Sequence, residues 1–239
     1  NIGLAPVKSR NREIPSLILQ SPKKVVTAFL SAYFEGDGSI SRSANGNSRE
    51  LSAISTSSLL IEQLQLLLLR FGIAGTKRFD SYRQTHKLYL MGLKNLTLFQ
   101  KDIGFVSVRK KKILKEIVDA HQKDYSATDY IPFLQNFTRA HLEKNILWEK
   151  KEFVFKHNFD RYNNLAKNHR HVLLATESRA RTSLEPLFNQ LLTSQYLFDS
   201  ISAIEDGGIQ RVYSLKVESA CHSFVANGFI NHNTEAKLS

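Results

Sequence analysis

The first part of the chain switches between helical and strand patterns of apolar residues. A helix is predicted to start at Ser21-Pro22, because Ser is a favoured N-cap and Pro fits the first helical position. Its apolar residues recur at helical spacing until Gly36-Asp37-Gly38. Residues 39–44 and 49–55 then predict a hairpin around Asn45-Gly46, a dipeptide typical of tight hairpin turns.

The same kinds of element follow a second time. Residues 58–71 predict a densely apolar helix that Gly72 caps. Residues 76–82 and 86–91 predict a second strand pair, and residues 108–120 predict a basic helix. The order α-β-β-α-β-β-α indicates an α+β unit with a four-stranded antiparallel sheet.

The remainder of the chain has weaker patterns. Residues 125–195 are polar with scattered aromatics, which fits either a helical linker or an inserted subdomain. Residues 212–217 alternate as a strand should, and two short strand signals at 224–226 and 229–230 flank Asn227-Gly228, another hairpin turn. These patterns divide the chain into an α+β domain at residues 1–124, a middle region at 125–195 and a small C-terminal β segment from residue 196.

Composition narrows the function classes. The chain has 239 residues with 33 Lys+Arg against 22 Asp+Glu, a formal charge of +11, which favours a polyanionic partner such as nucleic acid. A single Cys excludes a disulfide scaffold and a Cys-based zinc site. No apolar run approaches a membrane span and no secretory signal is apparent, so we expect a cytoplasmic protein. The chain does not begin with Met, so we expect a piece of something longer.

The end of the first predicted helix combines small and acidic residues. Ala28, Ala32 and Gly36 are spaced four apart and form a stripe that allows close approach of another helix. Glu35 and Asp37 lie at the C-terminal end, where the helix dipole is negative, so a cation is needed to compensate them. A divalent metal is a natural candidate. The alternative is an ordinary Asp-Gly turn.

Residues 30–38 resemble the nine-residue signature of the LAGLIDADG homing endonucleases. Ile14-Pro15, residues 64–73 and residues 103–105 also fit the family, in the expected order, so the resemblance covers about residues 10–120. It implies a saddle-shaped sheet that lies in the DNA major groove. It also implies Mg²⁺-dependent phosphodiester hydrolysis.

The resemblance also assigns roles to particular residues. Asp37 stands where the family has its metal-binding, catalytic carboxylate, and Glu35 occupies a less directly catalytic acidic position. Lys110 lies near the family's basic catalytic position, although Lys111 and Lys112 leave the register open. Each candidate DNA contact also fits a solvated strand face; these candidates are Arg42, Asn47, Arg49, Lys77, Arg78, Arg83 and Lys87.

The implied cleavage chemistry needs two such motifs, and the chain contains one. Either the chain forms a homodimer through Ala28, Ala32 and Gly36, or a first repeat lies upstream. The basic segment from Lys8 to Arg12 resembles the connector before the second repeat of single-chain intein endonucleases. We therefore favour the upstream repeat.

A second set of motifs lies near the C-terminus. Residues 212–218, 222–230 and 232–234 resemble the two closing blocks of an intein, a self-splicing element with an all-β horseshoe (Hint) fold. The resemblance makes residues 196–233 a splicing segment and residues 234–239 the start of the C-extein. Thr234 to Lys237 also resembles a stretch of a gyrase B subunit, but the match is too short to name a host.

The splicing chemistry accounts for the residue types at this end. The amide nitrogen of Asn233 can attack its own main-chain carbonyl, closing a succinimide and cutting the bond to Thr234. His232 can polarise that carbonyl or protonate the leaving amine, and His222 can activate Asn233. The Thr234 hydroxyl is the nucleophile that accepts the upstream acyl group.

Three interpretations remain open at this stage. The preferred one is the C-terminal portion of an intein with a LAGLIDADG endonuclease, which needs an N-terminal complement for both activities. A DNA-binding protein of this fold that does not cleave is the second. An inactive intein remnant is the third, because Ser214 replaces an Asp found in many inteins and the upstream splicing block is absent.

Overall fold

Helices and strands follow one another through the first half of the chain in the predicted order. The computed structural model describes residues 6–42, 49–120, 130–142, 156–174, 176, 178–193, 196–199, 201, 203–211, 215–218 and 220–232. After a 3₁₀ turn at Ser9–Asn11, the elements are α1 (Ser16–Leu19), α2 (Lys23–Gly36), β1 (Gly38–Arg42), β2 (Arg49–Ser55), α3 (Ser58–Leu69), β3 (Thr76–Asp80), β4 (Thr85–Leu90), α4 (Leu93–Asp102) and α5 (Val108–Asp119). The α+β order is confirmed, and α4 is an additional helix that the pattern did not predict.

The four strands form one antiparallel sheet in the order β1-β2-β4-β3. Leu51 on β2 lies between Ile40 and Leu90, and Ala53 lies opposite Leu88. These residues share one face because successive side chains in a strand point to opposite sides. Leu51, Ala53, Leu88 and Leu90 are fully buried. The helices therefore cover this face and leave the other, the open face, available for a ligand.

The start of α2 differs from the prediction. Ser21 does not cap the helix: Pro22 is the N-cap residue, and the Ser21 hydroxyl donates to the Leu17 carbonyl at 2.7 Å. Ser21 instead completes the turn that ends α1, so its hydroxyl is already engaged. At α3 the Ser57 hydroxyl accepts from the Leu60 amide at 3.1 Å. Gly72 follows that helix with φ 72°, as its predicted capping role requires.

Apolar side chains of α2 connect the sheet to the later helices. Val26, Leu30 and Phe34 are fully buried on α2. The ring of Phe34 meets Phe99 edge-on at 5.1 Å, and Phe99 lies 5.4 Å from Phe105. This packing fixes the C-terminal end of α2 against the segment that enters α5.

The middle of the chain is helical and has its own core. Its helices are α6 (Leu134–Leu142), α7 (Tyr162–Leu174) and α8 (Ser178–Thr193). Phe159, Leu165 and Phe188 are fully buried in a cluster separate from the first. None of the helices that the structure describes is long and apolar enough to cross a membrane.

The C-terminal hairpin is present where it was predicted. Strands β5 (Ser223–Ala226) and β6 (Phe229–His232) pair antiparallel in a two-stranded sheet. Asn227 and Gly228 both have positive φ, 49° and 84°, as a tight hairpin turn requires.

Of two other predictions from the strand pattern, one is wrong for the residues described and the other lies outside the described residues. The strand predicted at 212–217 is wrong for residues 215–217, which the structure shows outside any strand, while 212–214 lie outside the described residues. An alternating pattern forms a strand only where a neighbouring strand pairs with it, and none does so in this described stretch. The predicted Asn45-Gly46 turn also lies outside the described residues.

Two glycines beside Asp37 offer a matched test of the packing at the C-terminal end of α2. A Cβ on Gly38 would lie 2.5 Å from the Phe34 carbonyl oxygen and 2.8 Å from Phe34 Cα, whereas one on Gly36 would have nothing within 4 Å. We expect Gly38→Ala to lower the free energy of unfolding by about 1–3 kcal/mol, because backbone must move. Gly36→Ala should leave it unchanged or raise it by up to about 1 kcal/mol. Urea unfolding followed by circular dichroism measures both, and equal effects would contradict the packing.

Candidate functional site

The last turn of α2 presents one exposed carboxylate. Asp37 is the C-cap residue, and its amide donates to the Tyr33 carbonyl at 2.8 Å, which fixes the backbone at the end of the helix. The Asp37 side chain is exposed. Burial, together with the charge of Asp37, raises the pKa of Tyr33 to about 12. Tyr33 is therefore a neutral neighbour of this acid.

Lys110 holds the carbonyl end of α2. Its ammonium donates to the carbonyls of Phe34 at 3.1 Å, Glu35 at 2.6 Å and Gly38 at 2.9 Å, and the residue is only 8% exposed. An ammonium has three protons, so these bonds use all of them. The last carbonyls of a helix lack intrahelical partners and face a negative dipole end, which a cation compensates. Lys111 and Lys112 are exposed, so Lys110 is the lysine that reaches this site.

Glu35 makes the reciprocal connection from α2 to the start of α5. Its carboxylate accepts the amides of Val106 at 2.9 Å and Ser107 at 3.0 Å. The backbone hydrogen bond from Ser107, more than any other cause, holds the pKa of Glu35 below its ordinary value. Glu35 and Lys110 thus join the two helices from both sides, and Asp37 is left as the acid that faces outward at this end.

The donor set at this end fits a partial magnesium site. Mg²⁺ is usually bound through one or two carboxylates together with water and substrate phosphate oxygens. The exposed carboxylate of Asp37 can supply one such ligand. Across the described part of the chain, no group of three or more His, Cys, Asp or Glu residues could hold a metal ion. A magnesium ion at Asp37 would need its remaining ligands from a second motif, substrate or water.

The small-residue stripe lies open on the surface of α2. Ala28, Ala32 and Gly36 are all exposed, and the space beyond Gly36 is empty. Another helix can therefore approach α2 closely along this line, ending beside Asp37.

The predicted DNA contacts on β3 and β4 are divided between the two faces of the sheet. Arg78 and Lys87 are cross-strand partners on the open face. Lys77 lies on the opposite face, where its ammonium is 4.0 Å from Glu62 of α3. Adjacent strand residues point to opposite sides, so Lys77 and Arg78 face different sides of the sheet. Both remain predicted DNA contacts.

The other predicted contacts lie at the ends of the strands. Arg83 is exposed in the turn between β3 and β4, and its amide donates to Asp80 Oδ1 at 3.0 Å. Arg42 and Arg49 are backbone pairing partners where β1 ends and β2 begins. Asn47 lies outside the described residues.

One polar residue of the open face was missed by the sequence analysis. Glu50 of β2 accepts a hydrogen bond from the Lys87 ammonium at 2.8 Å. Glu50 is an acid, whereas the predicted DNA contacts are basic residues and one asparagine. The available signal was the two-residue period of β2, because Glu50 and Ser52 alternate with the buried Leu51 and Ala53.

The C-terminal hairpin brings the two predicted splicing histidines together. Ser223 pairs with His232, so His222 precedes the strand at the same end of the hairpin. The two imidazole rings are 6.4 Å apart between centroids. Asn233 and Thr234 lie outside the described residues. Their chemical roles remain predictions from the sequence.

One part of the chain is similar to a known domain family. Residues 24–104 match the model of the LAGLIDADG-like domain. The chain therefore contains a LAGLIDADG-like domain, and this domain includes α2, Asp37 and all four strands of the sheet.

Individual relatives match over nearly the whole chain. The DNA gyrase A protein of Mycolicibacterium flavescens is 31% identical over 97% of this chain and 41% of that protein. A probable translation initiation factor IF-2 of Thermococcus kodakarensis is 26% identical over 95% of the chain and 23% of that protein. The replicative DNA helicase DnaB of a Synechocystis strain is 25% identical over 98% of the chain and 28% of that protein.

The chain thus spans less than half the length of each of these curated relatives. The gyrase among them is the A protein rather than the B protein. The short similarity of residues 234–237 to a gyrase B subunit therefore has no support from these relatives.

Proposed function

We propose that this chain is the C-terminal portion of an intein that carries a LAGLIDADG homing endonuclease. The observation that carries the proposal is the mixture of relatives. One segment, shared over 95–98% of this chain, occurs in proteins named as a gyrase, an initiation factor and a helicase. Those names describe different activities, so the shared segment is best explained as an insertion with its own function.

The nuclease half of the proposal uses the end of α2. Asp37 would hold Mg²⁺, which when bound stabilises the attacking and leaving oxygens of phosphodiester hydrolysis. Glu35 and Lys110 would act on Asp37 through the backbone by fixing the junction of α2 and β1. Lys110 also keeps a buried positive charge close to the position of the scissile phosphate. The open face of the sheet would lie in the major groove of double-stranded DNA.

Both activities would need an N-terminal complement. The exposed stripe of Ala28, Ala32 and Gly36 fits the motif helix of a first endonuclease repeat, which would bring the second carboxylate next to Asp37. A homodimer through the same stripe is the alternative arrangement. In the splicing segment, Ile201, Ile204 and Ile209 are strongly exposed, which supports a missing partner sheet in this region.

The splicing half of the proposal uses the end of the hairpin. The Asn233 side-chain nitrogen forms a bond to its own carbonyl carbon, the peptide bond to Thr234 breaks, and the Thr234 amine takes up a proton. His222 and His232, 6.4 Å apart, are close enough to serve the two proton transfers of this step.

The splicing proposal predicts a defined cleavage product. In the presence of the N-terminal complement, we expect residues 234–239 to leave the chain, free or joined to the upstream flanking sequence, because Asn233 cyclises. Asn233→Ala should release none, since alanine has no nucleophilic side chain. Intact-mass spectrometry measures both. Release of the peptide from Asn233→Ala at the unchanged rate would contradict Asn cyclisation.

DNA binding without cleavage is the second candidate function. The observation that favours it is the single exposed carboxylate, Asp37, at the described end of α2. It predicts DNA binding that Mg²⁺ does not convert to cleavage even when the N-terminal complement is present.

A further inference from the structure

The open face of the sheet carries a preformed ion pair between neighbouring strands. The Lys87 ammonium of β4 lies 2.8 Å from Glu50 Oε1 of β2, and both side chains are 24% exposed. Ser52 lies fully buried beside them and donates to the same carboxylate oxygen at 3.3 Å. The pair is thus supported by the sheet beneath it and is not a loose surface contact.

An aromatic ring fixes the lysine in this position. The Lys87 ammonium lies 4.4 Å from the centroid of the Tyr89 ring, and the Arg78 guanidinium lies 5.5 Å from it. Partial burial lowers the pKa of Lys87, but the hydrogen bonds and charges of Glu50 and Tyr89 together raise this pKa above its ordinary value. Lys87 therefore stays charged, with its side chain held across the Tyr89 ring.

The two partners together present a donor beside an acceptor. One ammonium proton is used by Glu50 and a second by the side chain of Tyr89, which leaves one for the two adjacent acceptors of a base, and the carboxylate keeps a second oxygen. A phosphate group would be repelled by the carboxylate, so the pair is poorly suited to the DNA backbone. In the major groove, guanine presents two acceptors, O6 and N7, and the paired cytosine presents the N4 amino donor.

We propose that Lys87 and Glu50 act as one unit that reads a single G·C base pair in the major groove, with Lys87 on guanine and Glu50 on cytosine. The proposal rests on the proposed function, since it assumes that the open face binds DNA. An A·T pair presents its two acceptors, adenine N7 and thymine O4, on either side of the N6 donor and next to a methyl group. It therefore lacks the two adjacent acceptors of guanine and is the less complementary edge. Glu50 is thereby a specificity-determining residue, although its charge alone would oppose DNA binding.

The test is selection of binding sites from a random-sequence DNA duplex library by the full chain with its N-terminal complement. Selected sites should contain one position fixed as G·C. The nearly isosteric Glu50→Gln should lose discrimination at that position alone, by about 5- to 150-fold in relative affinity. Lys115→Met, at an exposed lysine of α5 outside the sheet, is the control and should leave every preference unchanged.

A second variant guards against a general loss of structure. The double variant Glu50→Lys with Lys87→Glu keeps the ion pair in reverse order and should bind DNA with the preference reversed, C·G replacing G·C on the same strand. Glu50→Gln with unchanged preferences at every position, or a double variant that still selects G·C in the original orientation, would overturn the inference while leaving the proposed function intact. A wild-type chain that binds no DNA would overturn both.

Discussion

Asp37→Asn is expected to lower the rate of Mg²⁺-dependent DNA cleavage by at least about 100-fold, because the metal loses its charged ligand from α2. The substitution is nearly isosteric, and the Asp37 side chain is exposed, so the fold should be retained. Affinity for the DNA target should be almost unchanged, since the sheet residues that we propose to bind it are untouched. The assay is single-turnover cleavage of a target duplex by the chain with its N-terminal complement.

Asp119→Asn is the matched control for this prediction. Asp119 is also an exposed acid at the C-terminal end of a helix, α5, but it pairs with Lys115. Its replacement should leave the cleavage rate unchanged. An Asp37→Asn variant that cuts as fast as the wild type would refute the assignment of the metal carboxylate.

Lys110→Met is expected to lower the free energy of unfolding by about 3 kcal/mol. The substitution keeps the apolar stem but leaves the carbonyls of Phe34, Glu35 and Gly38 without their shared donor in a buried site. Because these carbonyls surround the α2–β1 junction, the cleavage rate should fall as well. Urea unfolding measures the first effect, and single-turnover cleavage measures the second.

Lys111→Met separates this role from a general effect of lost charge. Lys111 is exposed on the same helix, so its loss should change the free energy of unfolding by less than about 0.5 kcal/mol. If the two lysine variants were equally stable, the hydrogen bonds of Lys110 would not hold this junction. A stable Lys110→Met variant with normal cleavage would exclude a positioning role.

Local signals made the main elements of the LAGLIDADG-like domain predictable from the sequence. The order of helices and strands follows from apolar spacing, and Gly72 marks the turn after α3, where the backbone has a positive φ. Outside this domain, Asn227-Gly228 marks the turn of the C-terminal hairpin in the same way. Helix α4 was missed because it is short and carries Lys94 and Lys101 among its apolar residues. Leu96 and Phe99 of α4 are buried, but their burial depends on packing in the folded core and is not visible in the local sequence.

The site was less predictable because it depends on contacts between distant segments. The hydrogen bonds of Lys110 cross 72 to 76 positions of sequence, so no local pattern distinguishes it from Lys111 and Lys112. The pairing of Glu50 with Lys87 likewise requires β2 and β4 to be neighbours, although they are separated by α3 and β3. The placement of Lys77 and Arg78 on opposite faces of the sheet follows from the two-residue period of a strand alone.

The central claim is that this chain is the C-terminal part of an intein, and trans-splicing tests it most directly. The chain is mixed with an N-terminal segment that carries a nucleophilic first residue and the first endonuclease repeat, and the products are weighed by intact-mass spectrometry. The account predicts a ligated product in which residues 234–239 are joined to the upstream flanking sequence, with the chain shortened to end at Asn233. A chain that keeps its full mass, with no ligated product at any time point, would contradict it.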